Sequence, residues 1–397
     1  MSYTVGLVGK PSVGKSTFFN AATTNDVPEG AYPFTTIDPS VGEAYVRVDC
    51  PAPEFGESCT PETGFCREGT RYVPVQLVDV AGLVPGAHEG RGLGNQFLSD
   101  LNEADVLVHV VDFSGETDVE GEPTAGHDPR EDVDFLEDEL DRWYLGILRK
   151  GLEKYANAYA GSDAAVEEYV ATQMDAFGVT PGQVERVVRG LDLALDPATW
   201  DDDDELALAR ALRVRTKPMV IAANKMDTPA AREHYEAIAA DPDYDHLEIV
   251  PASAHAEKAL KNADAAGAVD YDPGAAGFEL VGEVSADQER GLEAIRTFLD
   301  DYGSTGVQDA IEAALFDVLG VVPVFPGSAR GVVTDEGKVL RDCFLLPPDA
   351  TVEQFAYHIH SDIGEGLLHG IDCRSKRQVG ADTELDDRDV IELVTTA

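Results

Sequence analysis

Long apolar runs are missing from this 397-residue chain. No stretch reaches the roughly 18 apolar residues that a membrane-spanning helix needs, so none is expected. The opening residues, MSYTVGLVGK, contain no basic segment followed by a cleavable apolar one. That argues against a Sec-type signal and for a cytoplasmic protein. Cysteine is scarce: five in the whole chain, too few for a disulfide scaffold. Lysine is scarce too, 10 against 20 arginines. Low complexity is confined to the acidic run Asp201–Glu205, and no internal repeat is visible. With 43% apolar residues the chain has ample material for buried cores, so global disorder is excluded.

What is abundant is negative charge. Seventy-five acidic side chains against 30 basic ones leave a formal net charge of −45, spread along the whole length. Such a surface repels nucleic-acid phosphates at low salt. It suits a protein that works in concentrated salt, where the Debye length falls to about 3 Å. The expectation is a cytosolic protein of a salt-accumulating halophile, whose net charge then says little about its partners.

At roughly 100–200 residues per domain, the length suggests two or three domains. Short β-branched runs at Tyr3–Val8, Tyr72–Val80, Val106–Asp112, Met219–Ala223 and Leu247–Val250 read as buried strands. Helix-compatible segments separate them, which predicts an α/β fold with a mostly parallel sheet. Glu43–Val48 alternates and reads as an added edge strand. From Pro129 to Arg215 the pattern is helical throughout: Val133, Leu136, Leu140, Trp143, Ile147 and Leu148 share one face. Ala164–Phe177 and Thr180–Leu195 read as further helices, the latter with Thr180-Pro181 as cap and first residue. Beyond Pro323, strands are expected at Arg341–Leu346 and Val390–Val394, with a helix at Asp349–Ser361 opened by Asp349 or Thr351.

Four short motifs carry chemistry. Gly9-Lys10-Pro11-Ser12-Val13-Gly14-Lys15-Ser16 sets two glycines with four residues between them and follows them with Lys-Ser, after a strand and before a helix opened by Thr17. This is a phosphate-binding loop: backbone N–H groups close around the β-phosphate, Lys15 spans β- and γ-phosphates, and the Ser16 hydroxyl ligates Mg²⁺. Asp79-Val80-Ala81-Gly82 places an acid at a strand end, suited to a water-mediated Mg²⁺ contact, and Gly82 near the γ-phosphate. In Asn224-Lys225-Met226-Asp227, the Asp227 carboxylate can accept from guanine N1–H and the 2-amino group, a donor pair adenine lacks. Asn224 is expected at N7 and the Lys225 stem against the ring. In Pro251-Ala252-Ser253-Ala254, the Ala254 N–H is expected at guanine O6. Between the first two motifs, Thr36, with Thr35 as the alternative, is expected to close over Mg²⁺ and the γ-phosphate.

The order and strand-end placement of these motifs are those of guanine-nucleotide-binding proteins. With the segments GKPSVGKSTFFNAAT, YPFTTIDP and DVAGLVPGAHEGRGLGNQFL and the C-terminal module, the chain resembles the YchF/Obg-like branch of translation-factor-related GTPases. The resemblance implies an α/β P-loop NTPase domain over residues 1–125 and 213–305, an all-helical insert over 126–212, and a C-terminal β-grasp (TGS, ubiquitin-like) domain over 320–397. It implies a ribosome or RNA partner, while the motifs point to Mg²⁺-dependent hydrolysis of GTP to GDP and phosphate; no membrane contact is expected, and a monomer is. Many members replace the lysine and final acid of the base motif and prefer ATP. Here Asn224, Lys225 and Asp227 are all present, so the residues favour GTP. An ATP-hydrolysing enzyme and an RNA- or ribosome-binding module with negligible turnover stay open as alternatives.

Several positions are less determined. Leu83 stands where Ras-like enzymes carry the water-orienting glutamine. His88, in the glycine-rich stretch 86–94, is the local candidate for that task, and Arg91 for transition-state charge. A K⁺ ion is a third possibility, but Ser12 stands where potassium-dependent relatives carry asparagine. Cys50, Cys59 and Cys66 admit zinc, free thiols or a redox pair; relatives carry a further cysteine near Cys50, where this chain has Ala52. Arg374-Ser375-Lys376-Arg377 reads either as an RNA contact or as a solvated basic turn. His358, His360 and His369 read as surface histidines more readily than as a metal site.

Overall fold

The computed structural model describes residues 2–23, 40–80, 82, 86, 101–159, 166–194, 196–328, 331–334 and 337–396. Its centre is a seven-stranded sheet: β1 (Thr4–Val8), β2 (Ser40–Asp49), β3 (Phe65–Arg67), β4 (Thr70–Asp79), β5 (Val106–Asp112), β6 (Met219–Asn224) and β7 (Glu248–Pro251). The order is β2-β4-β1-β5-β6-β7, with β3 also on β4. Strands β4, β1, β5, β6 and β7 run parallel. The largely apolar strands β1, β5 and β6 are buried at every residue, as strands covered on both faces must be. The alternating strand expected at Glu43–Val48 is longer, Ser40–Asp49, and antiparallel to β4.

Four helices carry the chain from β5 to β6 beyond Pro129: α2 (Pro129–Tyr159), α3 (Val166–Gln173), α4 (Pro181–Gly190) and α5 (Asp202–Thr216), with α1 (Lys15–Ala22) preceding them on the phosphate loop. Tyr144, Leu148, Val170, Met174, Val184, Leu208 and Leu212 form their own buried cluster. Helix α4 stops at Gly190, short of the expected Leu195, and α3 covers only part of Ala164–Phe177. The acidic run is not a loose tract. Asp201 caps α5 in a capping box with Asp204, and the acids of the first turn complement the helix dipole.

The chain then alternates strand and helix again through α6 (Pro229–Ala239), α7 (Ala254–Ala265), a small β8–β9 ribbon (Val269–Asp270 with Glu279–Leu280), α8 (Ala286–Tyr302) and α9 (Val307–Glu312). The C-terminal module contains β10 (Val322–Pro326), β11 (Phe344–Leu346), α10 (Val352–Ile359), β12 (Leu367–Asp372), β13 (Gln378–Val379) and β14 (Val390–Thr395). Its sheet order, β11-β10-β14-β12-β13 with the central pair β10/β14 parallel, is that of a β-grasp. Strand β11 is shorter than the expected Arg341–Leu346, and Thr351, not Asp349, caps α10. One apolar core runs unbroken from Val46 and Val75 of the large sheet through Ile311 and Leu315 to Phe325, Leu340 and Val390 of the C-terminal module.

Candidate nucleotide site

The carboxyl ends of the parallel strands converge on the phosphate loop, the usual position of a ligand in an open α/β sheet. Gly9 (φ 141°) and Gly14 (φ 99°) have backbone conformations that favour glycine, and space enforces the choice. A Cβ on Gly9 would lie 2.4 Å from the Val110 carbonyl oxygen, and one on Gly14 would lie 2.6 Å from Asn224 Nδ2. The Lys15 ammonium donates to the carbonyls of Gly9 at 3.0 Å and Lys10 at 2.7 Å. Burial pushes it down to about 8, with Asp79 acting in the opposite sense.

Ser16 Oγ donates to Asp79 Oδ2 at 2.8 Å. Asp79 is fully buried, and its Oδ1 has no hydrogen-bond partner among the described residues. Burial raises its carboxyl above the usual range against the opposing pull of Lys15 and Ser16. A buried carboxylate oxygen without a donor, beside a hydroxyl and an ammonium, fits a hard divalent cation such as Mg²⁺. Gly82 packs on Pro11: a Cβ there would lie 3.1 Å from the Pro11 nitrogen. Ser12 sits in the left-handed region (φ 63°) with its hydroxyl buried and unpartnered.

The Lys10 side chain is buried, donates to the Thr117 carbonyl at 2.8 Å, and pairs with the Asp132 carboxylate at 2.8 Å. The reason lies in the first turn of α2, where Asp132 is itself buried and needs a counter-charge. His127 Nε2 is 2.9 Å from the other Asp132 oxygen.

Across the loop, a cavity of about 490 Å³ is lined by Gly14, Thr17, Asn224, Asp227, Ala254 and Lys258, among others. Ser253 Oγ donates to Asp227 Oδ1 at 2.8 Å. Lys225, in the left-handed region (φ 64°), pairs with the fully buried Asp112 at 2.7 Å. Asn224 also makes bonds within the protein. Its amide donates to the Val13 carbonyl at 2.8 Å, and its oxygen accepts from the Ala254 N–H at 3.0 Å. It therefore ties the phosphate loop to the Ser253-Ala254 turn, with the Ala254 N–H engaged and one Asn224 N–H committed to Val13.

Three participants were not singled out from the sequence. Asp112, accepting also from Thr117 Oγ1 at 2.7 Å, anchors Lys225. Asp132 anchors Lys10. His109, on β5 beneath Gly9, is buried with Nδ1 unpartnered; burial, then Lys15 and Lys10, push it down to about 3, so it is neutral. The signal for Asp112 was present, as an acid ending a buried strand next to the base-motif strand. Thr35, Thr36, Leu83, His88 and Arg91 lie outside the described residues.

Away from this site, the sulfurs of Cys50, Cys59 and Cys66 lie within 4.8 Å of one another. Interaction with the Cys50 thiol, more than the nearby Arg71, holds Cys59 down to about 6. The basic turn is partly committed: Arg374 pairs with Glu54 at 2.7 Å and donates to the Arg388 carbonyl, while Lys376 and Arg377 are exposed. His358 is half-buried on α10, its ring edge-on to Phe344, and His360 caps the following short helix.

Fold and site together define a P-loop guanine-nucleotide-binding protein with a C-terminal TGS domain. Family models match in three places: a 50S ribosome-binding GTPase over residues 4–144, the G4 motif-containing domain of YGR210-like Obg-like GTPases over 222–328, and a TGS domain over 331–395. The chain is 42% identical to an uncharacterized GTP-binding protein of Methanocaldococcus jannaschii, over 99% of each chain. A crystal structure of a GTP-binding protein from Pyrococcus horikoshii aligns with a TM-score of 0.79 and 37% identity, over 99% of this chain and 100% of that one. A ribosome-binding ATPase YchF of Pasteurella multocida is 28% identical over 93% of this chain and 87% of its own. The chain belongs to the YchF/Obg-like family of GTP-binding proteins.

Proposed function

We propose that the protein is a Mg²⁺-dependent enzyme that hydrolyses GTP to GDP and phosphate and acts as a nucleotide-dependent switch on the ribosome. The observation that carries the choice of base is the Asp227 carboxylate, oriented by Ser253 Oγ at the rim of the 490 Å³ cavity. A carboxylate held this way accepts from guanine N1–H and the 2-amino group, and leaves adenine without a partner. Lys15 and the loop amides supply charge to the β- and γ-phosphates, so catalysis rests on positioning and electrostatics with no covalent intermediate. Ser16 and Asp79, with Thr36, would hold Mg²⁺, which when bound neutralises charge on the phosphate oxygens. The apolar Leu83 cannot orient the attacking water, and His88 takes that task with Arg91 as a second cation. A ribosomal partner is supported by the name of the Pasteurella relative and by the description of the family model over residues 4–144.

A second reading is favoured by one observation. The Ala254 N–H already donates to the Asn224 oxygen, so guanine O6 must compete for it, whereas Asn224 gives one N–H to the Val13 carbonyl and keeps a second. That weakens discrimination and keeps ATP open, the nucleotide named for the Pasteurella relative. Competitive titration of GTP and ATP in about 1 M KCl with Mg²⁺, where surface charge is screened, separates the two. The GTPase reading expects preference for GTP, reduced about 10–100-fold in Asp227→Asn, the worth of one or two hydrogen bonds to a charged group. Equal or tighter ATP binding, insensitive to Asp227→Asn, overturns it. Turnover with and without ribosomes then tests the switch: a rate that ribosomes leave unchanged removes the ribosomal role.

A further inference from the structure

The three cysteines of the segment between β2 and β4 are separated by eight and six residues, without a CxxC pair. The fold nevertheless brings them together. Cys50 follows β2, and its N–H donates to the Gly69 carbonyl at 2.8 Å, where the chain turns into β4. Cys66 lies in β3, itself paired to β4. Cys59 lies on the loop between. Their sulfurs all fall within 4.8 Å of one another. Three thiolates around a tetrahedral ion at a bond length of about 2.3 Å sit roughly 3.8 Å apart, so a small contraction completes such a site.

A second observation points the same way. Arg71, on β4 beside the cluster, is 1% exposed. Its guanidinium donates to the carbonyls of Thr63 (3.1 Å), Leu340 (3.3 Å) and Arg341 (3.1 Å), and to Cys59 Sγ (3.2 Å). Its Nε has no partner, and no carboxylate pairs with it among the described residues. In a chain this rich in acids, a buried arginine that faces sulfur and lacks a carboxylate calls for another source of negative charge. Three thiolates with one divalent ion carry a net charge of about −1, which Arg71 neutralises. Binding releases the thiol protons to solvent.

The cluster also sits at a joint. Thr60 N–H donates to the Val339 carbonyl (2.9 Å), Val339 N–H donates to Thr60 Oγ1 (2.6 Å), and Glu62 N–H donates to the Arg341 carbonyl (2.9 Å). Arg374 of the C-terminal module reaches Glu54 of the same segment. The loop bearing Cys59 is thus the surface on which 339–341 docks. We propose that Cys50, Cys59 and Cys66 bind one zinc-class ion through three thiolates, with solvent at the fourth position, and that this ion fixes the 50–66 loop as the docking surface for residues 339–341. The ion is structural, remote from the nucleotide, and charge-balanced by Arg71.

The test uses the full chain, purified in reductant without chelator. Metal analysis is expected to give about one zinc per chain, and Co²⁺ loaded in its place to give the sulfur-to-metal absorption and visible bands of a tetrahedral thiolate site. Cys59→Ser and Cys66→Ser are expected to lower metal content at least tenfold while GTP binding persists. Removing the ion from the wild type with a chelator is expected to raise hydrogen exchange at 59–63 and 339–341 together, leaving the helical insert unchanged. Should a serine variant fail to fold, Co²⁺ titration of the wild-type chain decides alone. Absence of metal and of a Co²⁺ thiolate spectrum, with all three thiols open to a thiol reagent, overturns the proposal. So does a Cys50–Cys59 disulfide that persists in reductant, or bound metal whose removal leaves exchange at 339–341 untouched.

Discussion

Lys15 shows how a single residue prepares the nucleotide site. Buried against two carbonyls, its ammonium holds its proton only to about 8 in the free protein, against 10.5 ordinarily. Phosphates favour the charged form, so binding above pH 8 must draw a proton from solvent. Nucleotide affinity is therefore expected to be flat below pH 8 and to fall up to about tenfold per unit above it. Titration calorimetry at pH 9 in buffers of different ionisation enthalpy should register that uptake, and Lys15→Arg, always charged, should abolish the slope. A wild-type affinity independent of pH between 7.5 and about 9.5 would show that Lys15 does not titrate there. The free protein's stability moves in the opposite direction. From pH 8 to 10.5 the unfolded lysine keeps a proton that the folded one has lost, so this residue's contribution rises with pH. Glycine acts by shape alone at Gly14: a methyl group 2.6 Å from Asn224 Nδ2 would push apart the phosphate loop and the base turn. Gly14→Ala is expected to cost nucleotide binding more than tenfold with little loss of helix content, as circular dichroism would check. These motif residues were legible in the sequence because spacing fixes their backbone geometry. Their side-chain partners were not: only the position of Asp132 in the folded α2 makes Lys10 a buried tie.

At the scale of elements, that tie joins the phosphate loop to the helical insert. Lys10 and Asp132 are both buried, and His127 lies 2.9 Å from the other carboxylate oxygen. Asp132→Ala leaves an ammonium buried without a counter-charge, expected to cost about 3–5 kcal/mol in urea unfolding. The double change Lys10→Met with Asp132→Leu removes both charges and is expected to recover most of that loss. A double variant no better than Asp132→Ala would mean that packing, not charge, dominates. The same elements show what periodicity can reveal. Strand β5 appears at its expected bounds because a continuous buried run has no competing pattern. Helix α3 gives way after Gln173 to a tighter 3-10 turn over Asp175–Phe177 that Gly178 closes, and α4 ends just before Asp192 enters the left-handed region (φ 55°), although the composition stays helix-compatible. Asp201–Glu205 reads as low complexity by composition, yet becomes a cap once α5 has a beginning. Long-range register, such as Cys50, Cys59 and Cys66 meeting across β2, β3 and the intervening loop, has no sequence period at all.

For the whole molecule the governing quantity is the net charge of −45. The scarce basic residues are largely spent on joints: Arg47 to Asp309 and Glu312, Arg149 to Glu205, Arg213 to Asp141, Arg374 to Glu54. The remaining acids have no basic residue to pair with and repel one another over a Debye length of about 10 Å at 0.1 M salt, shrinking to about 3 Å at 1 M. Unfolding separates those charges, so low salt favours the unfolded chain. The urea midpoint is accordingly expected to climb steeply between about 0.1 and 0.5 M KCl and to flatten near 1 M, where screening is almost complete. Two terms can be told apart by the anion. Screening depends on ionic strength alone, whereas sulfate also strengthens apolar burial by its exclusion from the surface. At matched ionic strength below about 0.5 M, KCl and K₂SO₄ should therefore give the same rise, and only above 1 M should sulfate gain further. A midpoint indifferent to KCl over the lower range would mean that the acids are neutralised some other way, by bound cations or shifted protonation, and that the composition is not a salt adaptation.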